Sequence, residues 1–253
     1  MSTEDSVMDD VKPYIGDDTA ETKKEQITSM FNKIAPKYDY LNRTLSFGID
    51  RVWRREVVKR ISSLNGKVIL DVATGTGDLA LAVAGAAPEK IYGLDISVNM
   101  LDIAKVKVKE KGLQETINFV EGDSEALPFE SSYFDVVTVA FGVRNFESLN
   151  KGLKEMQRVL KPDGRLIVLE FSKPTLFPVK QFYNLYFSYI LPWWGGIISR
   201  DRKAYEYLPQ SVKSFCEGDE FTAELKKAGF SNAIQKRLTF GIASIYEAQK
   251  RSQ

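Results

Sequence analysis

Apolar runs alternate with amphipathic segments through most of the chain after residue 65. Five short runs have the length and the bounding turns of β-strands, at residues 68–73, 91–95, 117–121, 134–141 and 165–171. Between them, apolar residues recur with helical spacing near residues 79–87, 99–111 and 149–160. Strands that alternate with helices predict a mainly parallel sheet with helices on both faces.

The pattern changes near the C-terminus, where a helix over 220–228 is followed by strands at 232–238 and 243–250. A short turn near Gly241 joins these two strands, which predicts a hairpin. In a sheet built from crossover connections, such a hairpin adds an antiparallel edge strand. The predicted fold class is α/β, a Rossmann-like seven-stranded sheet with an antiparallel C-terminal hairpin strand and an N-terminal helical flap.

Three regions are predicted along the chain. Residues 1–20 are polar and acidic, which indicates a flexible tail and not a signal or transit peptide. Residues 21–64 are expected to form an N-terminal helical cap, with one helix that ends before Pro36 and a second that Asp50 caps. Basic residues of the second helix are expected to form a solvated face: Arg51, Arg54, Arg55, Lys59 and Arg60. The weaker alternative is attraction of these residues to anionic lipid headgroups. Residues 65–253 should form the cofactor-binding domain.

An insertion near residues 173–215 interrupts that domain. Its stretch 181–199 carries no charge and is crowded with aromatic residues, while Pro192 and two following glycines make a membrane span unconvincing. One interpretation is a core helix with a buried loop. The other is a hydrophobic lid that receives an apolar tail or docks on a bilayer surface with Trp193 and Trp194 at the interface. Both can hold together.

A glycine turn follows the first strand of the α/β region. Gly75 and Gly77 allow the backbone to approach a ligand without an intervening Cβ atom. Asp95 ends the second strand, where a carboxylate can accept hydrogen bonds from both hydroxyls of a ribose. This arrangement predicts a βαβ unit that holds a nucleoside-bearing cofactor.

Two cofactors compete for this turn, because residues 75–80 also satisfy the dinucleotide pattern. Asp71, at the same turn, would repel the pyrophosphate of a nicotinamide dinucleotide but suits the cationic S-adenosylmethionine. Asp123 ends the third strand and can accept from an adenine amino group, while the N–H of Ser124 can donate to a ring nitrogen. The sequence therefore favours S-adenosylmethionine over NAD. The competing interpretation is that these are ordinary strand-end carboxylates and turn glycines.

Composition narrows the chemistry further. A net charge of +1 gives no sign of a nucleic-acid partner. The chain has no histidine and a single cysteine, Cys216, so no metal site is predicted and the cysteine count fits a reducing, cytoplasmic compartment. Cys216 is expected to be a packing residue. The sequence leaves a homo-oligomer open.

Several segments resemble one family of class I methyltransferases. They lie at residues 31–39, 42–48, 53–55, 141–146, 158–164 and 169–172. Over nearly the whole chain after residue 25, the sequence is similar to the C-methyltransferases of quinone biosynthesis. That family acts on demethylmenaquinol or on a 2-polyprenyl-benzoquinol.

The resemblance implies the roles of individual residues. Positions matching Thr74, Asp95, Asp123 and Ser124 contact the cofactor in that family. The resemblance and the strand-edge position of Arg144 and Asn145 place both residues beside the transferred methyl group. Arg144 would orient a water or stabilise a phenolate oxygen, since an arginine is a poor base.

Tyr38, Tyr40 and residues 42–48 should form a flap over the cofactor, and the competing interpretation of Tyr38 is a half-buried aromatic residue that packs on the sheet. The implied reaction is methylation of demethylmenaquinol to menaquinol in menaquinone biosynthesis, and the second candidate substrate is a 2-polyprenyl-benzoquinol of ubiquinone biosynthesis. Three rival functions remain open: a sterol or small-phenol methyltransferase, an NAD-dependent oxidoreductase and a cofactor-binding scaffold. A polyprenylated hydroquinol would be the partner molecule, with peripheral contact to the inner face of the membrane.

Overall fold

The computed structural model describes residues 22–64, 67–190 and 202–251. Its seven strands form a single sheet, with the bounds β1 Val68–Val72, β2 Lys90–Asp95, β3 Ile117–Glu121, β4 Phe134–Ala140, β5 Leu160–Phe171, β6 Phe230–Leu238 and β7 Ala243–Lys250. The strand order is β3-β2-β1-β4-β5-β7-β6. The first five strands are parallel, and β7 is antiparallel to both of its neighbours. The predicted seven-stranded sheet is confirmed.

The C-terminal hairpin is also confirmed, but its antiparallel strand does not lie at the edge as predicted. β7 lies between β5 and β6, and β6 is the edge strand. The burial of the two strands explains this order. Four successive residues from Ala243 are buried in β7, whereas β6 alternates between partly buried and exposed positions after Phe230. A strand buried on both faces suits an interior position.

Helices cover both faces of the sheet. Their bounds are α1 Lys23–Leu45, α2 Ile49–Ser62, α3 Asp78–Val83, α4 Val98–Glu110, α5 Leu149–Val159, α6 Val179–Leu185, α7 Arg202–Ser214 and α8 Asp219–Lys227. One core layer joins Val137 of β4 to Met156 of α5. The other joins Val136 of β4 to Val57 of α2. Neighbouring residues of one strand therefore serve opposite layers, as the side-chain period of two requires.

The first helix does not end before Pro36, and this prediction was wrong. Helix α1 continues through Pro36 to Leu45. A proline lacks the N–H that would bond to the carbonyl four residues earlier, which here belongs to Asn32. The side-chain amide of Asn99 donates to that carbonyl at 3.1 Å instead. A tertiary contact therefore satisfies the acceptor that the proline leaves free.

The start of the second helix also differs from the prediction. Gly48, with φ +74°, occupies the N-cap position, so Asp50 lies inside the first turn. Asp50 is buried and pairs with Arg54 one turn later. The basic face is therefore only partly solvated: Arg51, Arg55 and Lys59 are exposed, but Arg54 is buried.

The insertion after β5 is mostly helical from Val179 onward, as far as it is described. Helix α6, the π-helical turn Tyr186–Ile190 and helix α7 pack against α1 in a third apolar cluster, which includes Met30, Tyr183 and Phe187. Trp193 and Trp194 and the predicted tail 1–20 lie outside the described residues. Among the residues that are described, no helix combines the length and the hydrophobicity needed to cross a membrane.

Candidate active site

A cleft of about 730 Å³ opens at the carboxyl ends of the central strands. The order of the sheet changes direction between β1 and β4, and ligands of open α/β sheets bind at such a point. Ala73 and Gly75 follow β1 into the cleft, and Phe141 and Gly142 follow β4. Of the predicted cofactor residues, Gly75, Asp95, Asp123 and Ser124 line this cleft.

Asp95 is held by the backbone around the glycine turn. Its two oxygens accept from the N–H of Gly75 at 2.7 Å and from the N–H of Ser97 at 2.8 Å. Burial raises the pKa of Asp95, while these N–H groups act in the opposite direction. The carboxylate is thereby fixed in the cleft as an acceptor for hydroxyl groups, as a ribose requires.

Asp123 connects the cleft to the N-terminal helix. Its Oδ1 accepts from the N–H of Glu125 at 2.9 Å, and the Nζ of Lys24 lies 2.6 Å from its Oδ2. Lys23 donates to the carbonyl of Phe146 at 3.0 Å. The start of α1 is thus tied to residues on both sides of the cleft. Neither lysine was among the site residues predicted from the sequence.

Three predicted cofactor residues shape the turn and are not part of the cleft lining: Asp71, Thr74 and Gly77. The carboxylate of Asp71 accepts from the hydroxyls of Thr74 at 2.6 Å and Thr138 at 2.8 Å. Burial raises the pKa of Asp71 to about 6. Gly77 has φ +77°, and a Cβ atom there would lie 3.1 Å from Ala104. Direct contact of these three residues with the cofactor stays a prediction.

A second, larger cavity of about 1410 Å³ adjoins the cleft. Helices α1, α2, α6 and α7 enclose it together with the π-helical turn, and aromatic and aliphatic side chains dominate its walls. Phe31, Tyr38 and Phe141 line both spaces. A large apolar cavity therefore meets the cofactor cleft at these three side chains.

Tyr38 lies above the glycine turn, since a Cβ atom on Gly75 would be 4.0 Å from its ring. Burial raises the pKa of Tyr38, so its hydroxyl keeps its proton at neutral pH. The next residue, Asp39, accepts from the hydroxyl of Thr76 and from the Nζ of Lys107 at 2.8 Å. Lys107 also pairs with Asp78. This cluster, which sequence analysis missed, clamps α1 onto the turn and so positions Tyr38.

Arg144 and Asn145 lie in a single 3₁₀ turn directly after β4. Arg144 is buried and lines the apolar cavity, and its Nη1 donates to Glu170 at 2.8 Å and to the carbonyl of Phe141. Its Nε donates to Ser211 at 3.2 Å. Asn145 lines the cleft. The three residues predicted to be catalytic, including Tyr38, therefore gather where the two spaces meet.

Glu170 fixes the guanidinium of Arg144. This glutamate is fully buried, and its second oxygen faces the backbone N–H of Arg144 at 3.5 Å. Burial raises the pKa of Glu170, and the charge of Arg144 acts against that rise. Nη2 of Arg144 has no hydrogen-bond partner among the described residues, which leaves it available to an oxygen in the cavity.

The site residues fit S-adenosylmethionine. The cleft supplies acidic acceptors at two strand ends and a glycine turn that lets the backbone approach. No group of three or more His, Cys, Asp or Glu side chains suited to a metal ion occurs in the described part of the chain.

Comparison with known proteins decides the family. A model described as the ubiE/COQ5 methyltransferase family matches residues 19–250. The chain belongs to this family. It is therefore a methyltransferase that uses S-adenosylmethionine, and the predicted family, fold class and cofactor are confirmed. An NAD-dependent oxidoreductase does not fit this membership.

Relatives support the assignment over nearly the full length. A protein of Bacteroides fragilis named demethylmenaquinone methyltransferase is 46% identical over 241 residues, which are 95% of this chain and 97% of that protein. A protein of Geotalea daltonii named ubiquinone/menaquinone biosynthesis C-methyltransferase UbiE is 47% identical over 230 residues, covering 90% of this chain and 97% of the relative.

Solved structures agree on the fold. The cyclase SpnF superposes with a TM-score of 0.68 at 18% identity, covering 96% of this chain and 98% of that one. A SAM-dependent methyltransferase from Aquifex aeolicus gives a TM-score of 0.57 at 19% identity, covering 77% of this chain and 88% of that one. At such identities the likeness shows the shared fold alone.

Proposed function

We propose that this enzyme transfers the methyl group of S-adenosylmethionine to a ring carbon of demethylmenaquinol and forms menaquinol. The observation that carries the proposal is the apolar cavity that meets the cofactor cleft at Phe31, Tyr38 and Phe141. A small polar acceptor would not need walls of aromatic and aliphatic side chains. An aromatic ring with an isoprenoid tail suits walls of this size and polarity.

The donor supplies an electrophilic methyl group, and the protein must present a carbon nucleophile to it. A hydroquinol carbon becomes nucleophilic when a neighbouring hydroxyl loses its proton. Arg144 cannot take that proton, because an arginine stays protonated at any physiological pH. Its free Nη2 can instead stabilise the resulting phenolate oxygen. Fixed alignment of the two reactants can contribute about 7–11 kcal/mol toward the barrier.

Asn145 and Tyr38 would complete this arrangement from the cofactor side. Asn145 accepts from the hydroxyl of Tyr207 at 3.0 Å, which orients its amide at the edge of the cleft. Tyr38 covers the glycine turn and would keep water away from the transferred methyl group. Under this proposal, the helical cap 21–64 and the lid 173–215 are the two regions that build the substrate cavity.

The substrate choice rests on the relatives. The Bacteroides fragilis protein is named for demethylmenaquinone, and the Geotalea daltonii protein is named for both ubiquinone and menaquinone biosynthesis. A 2-polyprenyl-benzoquinol is therefore the second candidate. The test is transfer from labelled S-adenosylmethionine to a short-chain demethylmenaquinol, kept reduced, beside a matched benzoquinol.

Label in the naphthoquinol alone would support the proposal, and label in both would indicate a dual-substrate enzyme. Label in neither, with cofactor binding measured by calorimetry, would contradict it. An Arg144→Ala variant separates catalysis from a scaffold role, since it should keep cofactor affinity and lose turnover. Unchanged turnover in that variant would remove Arg144 from the mechanism.

The cavity mouth supports peripheral contact with the membrane surface. Phe47 and Phe182 line the cavity yet are 80% and 69% exposed. Leu185 and Tyr189 continue the exposed apolar face beyond Phe182. Aromatic side chains at such a rim partition into the bilayer interface.

Sedimentation with anionic vesicles tests this contact. The Phe47→Ser/Phe182→Ser double variant should no longer sediment with the vesicles. The control variant Ile234→Ser, at an exposed site on the edge strand β6, should sediment like the wild type. Equal sedimentation of all three proteins would contradict the contact. A cytoplasmic location on the inner face of the membrane would follow from this proposal.

A further inference from the structure

Two buried side-chain polar atoms in the described part of the chain lack a hydrogen-bond partner, the Nε of Arg54 and the hydroxyl of Tyr183. Buried polar groups of native proteins are almost always paired, so each exception calls for an explanation. Both residues line the apolar substrate cavity. Because both residues belong to the wall of one cavity, a ligand in that cavity is the candidate partner for each group.

Arg54 is held by an ion pair that leaves this atom free. Its Nη1 pairs with Asp50, and the second oxygen of Asp50 accepts from the hydroxyl of Ser46 at 2.7 Å. The guanidinium carbon lies 5.7 Å from the ring centre of Phe141. Because Asp50 balances its charge, Arg54 can remain buried in an apolar wall and still offer an N–H.

Tyr183 is fixed by its ring. It stacks on Phe187 with a centroid distance of 4.1 Å, and 9% of the residue is exposed. Burial raises the pKa of Tyr183, so the hydroxyl stays protonated and can donate. The surrounding described residues offer this hydroxyl no acceptor.

We propose that Arg54 and Tyr183 bind one ring oxygen of the hydroquinol substrate, the one opposite the oxygen that Arg144 stabilises. This inference rests on the proposed function and adds a second polar anchor to the one at Arg144. Phe141 places the two guanidiniums relative to each other, because Arg144 donates to its carbonyl and Arg54 lies against its ring. A hydroquinol carries two ring oxygens on opposite sides of one ring. The cavity thus offers a separate cationic donor for each oxygen.

The anchor also distinguishes the reduced substrate from the quinone. A hydroquinol that has lost a proton carries negative charge on oxygen, and hydrogen bonds to an ionised acceptor are about twice as strong as those to a neutral one. The Nε of Arg54 therefore favours the ionised form that methylation requires. A tail extends from the same ring into the aromatic part of the cavity.

Tyr183→Phe gives the sharpest test, because it removes one atom that has no partner in the free enzyme. A merely structural tyrosine would lose nothing. We expect unchanged or higher thermal stability, unchanged affinity for S-adenosylmethionine and a fall of about tenfold in kcat/KM for a short-chain demethylmenaquinol. The matched control is Tyr246→Phe, because the hydroxyl of Tyr246 has a partner: it accepts from the N–H of Gly218 at 2.8 Å. That variant should lose stability and keep its KM for the quinol.

Arg54 requires a double variant, since removal of one charge would leave Asp50 unpaired. Asp50→Asn/Arg54→Met removes both charges at similar volume. We expect it to bind S-adenosylmethionine like the wild type and to lose about tenfold or more in kcat/KM for the quinol. Its pH profile should shift to higher pH, because the substrate hydroxyl would ionise without help.

Wild-type kinetics in either variant would overturn the assignment of that residue. A wild-type enzyme that binds S-adenosylmethionine but methylates no hydroquinol would instead remove the proposed function, and this inference with it. The two failures are distinguishable, because the first leaves turnover of the hydroquinol intact.

Discussion

Lys24 and Asp123 form an ion pair, 2.6 Å apart, that joins the first turn of α1 to the loop after β3. The pair spans 99 residues of sequence and lies at the rim of the cofactor cleft. It occupies one oxygen of the carboxylate that is predicted to accept from adenine. Cofactor entry must therefore rearrange or share this contact.

Lys24→Met should speed both the entry and the release of cofactor. Both side chains are roughly one-third exposed, so the pair contributes less than about 1 kcal/mol. That corresponds to at most about a fivefold change in rate. Stopped-flow binding of S-adenosylhomocysteine measures it. The control is Lys33→Met, an exposed lysine of the same helix. Identical rates in the two variants would show that Lys24 does not close the cleft.

Asp71 should make stability and cofactor binding respond to pH in opposite directions. Its pKa is about 6 in the folded enzyme and 3.8 in an ordinary aspartate. Between these values the folded state holds a proton that the unfolded state has released, so stability falls as pH rises. The total loss is about 3 kcal/mol. Above pH 6 the buried charge is present and attracts the cationic donor.

Asp71→Asn tests this account. At pH 8 the variant should have a higher Tm and a weaker preference for S-adenosylmethionine over the uncharged S-adenosylhomocysteine. At pH 5 the two proteins should agree, because Asp71 is then largely protonated. Calorimetric titration of both ligands at both pH values provides the comparison. A preference that survives in the variant at pH 8 would mean that Asp71 acts only on the shape of the turn.

Lys107→Met should weaken the attachment of α1, and of the flap that it carries, to the glycine turn. The ammonium group bonds to Asp39 and Asp78 with 19% of its side chain exposed. Its loss leaves two partly buried carboxylates without their shared partner, at a cost of about 1–3 kcal/mol. We also expect a higher KM for S-adenosylmethionine, because Tyr38 follows the position of Asp39. Lys105→Met removes an exposed pair on the same helix and should change neither quantity. Equal Tm and KM values for the two variants would count against the clamp.

Gly142→Ala should damage the floor of the cleft. A Cβ atom at this position would lie 2.6 Å from the Cβ of Ala73, at the junction of β1 and β4. Overpacking of this kind costs about 1–3 kcal/mol and moves the backbone that lines the cleft. Denaturant unfolding and cofactor titration should both report the loss. Gly85→Ala, with no atom within 4 Å of the added methyl group, is the control. If Gly142→Ala is as stable as Gly85→Ala, β1 and β4 can shift enough to accommodate the added methyl group, and the prediction is wrong.

The sheet was accessible from the sequence because its signal is local. The bounds of β3 and β7 match the predicted ranges, since burial imposes an apolar pattern residue by residue. Helix α1 was divided wrongly for the opposite reason. The acceptor that Pro36 leaves free is satisfied by Asn99, more than sixty residues away along the chain, and no local pattern announces such a contact.

The site divides in the same way. Glycine and acidic positions at strand ends carry a spacing signal, which located Gly75, Asp95 and Asp123. The pairs that close the flap link residues 68 and 99 positions apart and have no periodicity. The burial of Arg54 was not predicted, although the pattern of the helix indicated it. It shares a helical stripe with Asp50, Val57 and Ile61, all of which are buried, so the face of the helix predicted its environment better than its charge did.

Phe31, Tyr38 and Phe141 lie between the cofactor cleft and the apolar cavity, and the mouth of that cavity lies at Phe47 and Phe182. These three side chains would separate the entry route of the water-soluble donor from the entry route of a lipid substrate. The spent donor can leave for the aqueous phase while an isoprenoid chain remains in the apolar cavity. Under the proposed contact with the membrane, repeated turnover needs no detachment from the lipid phase, because the donor enters and leaves from the aqueous side.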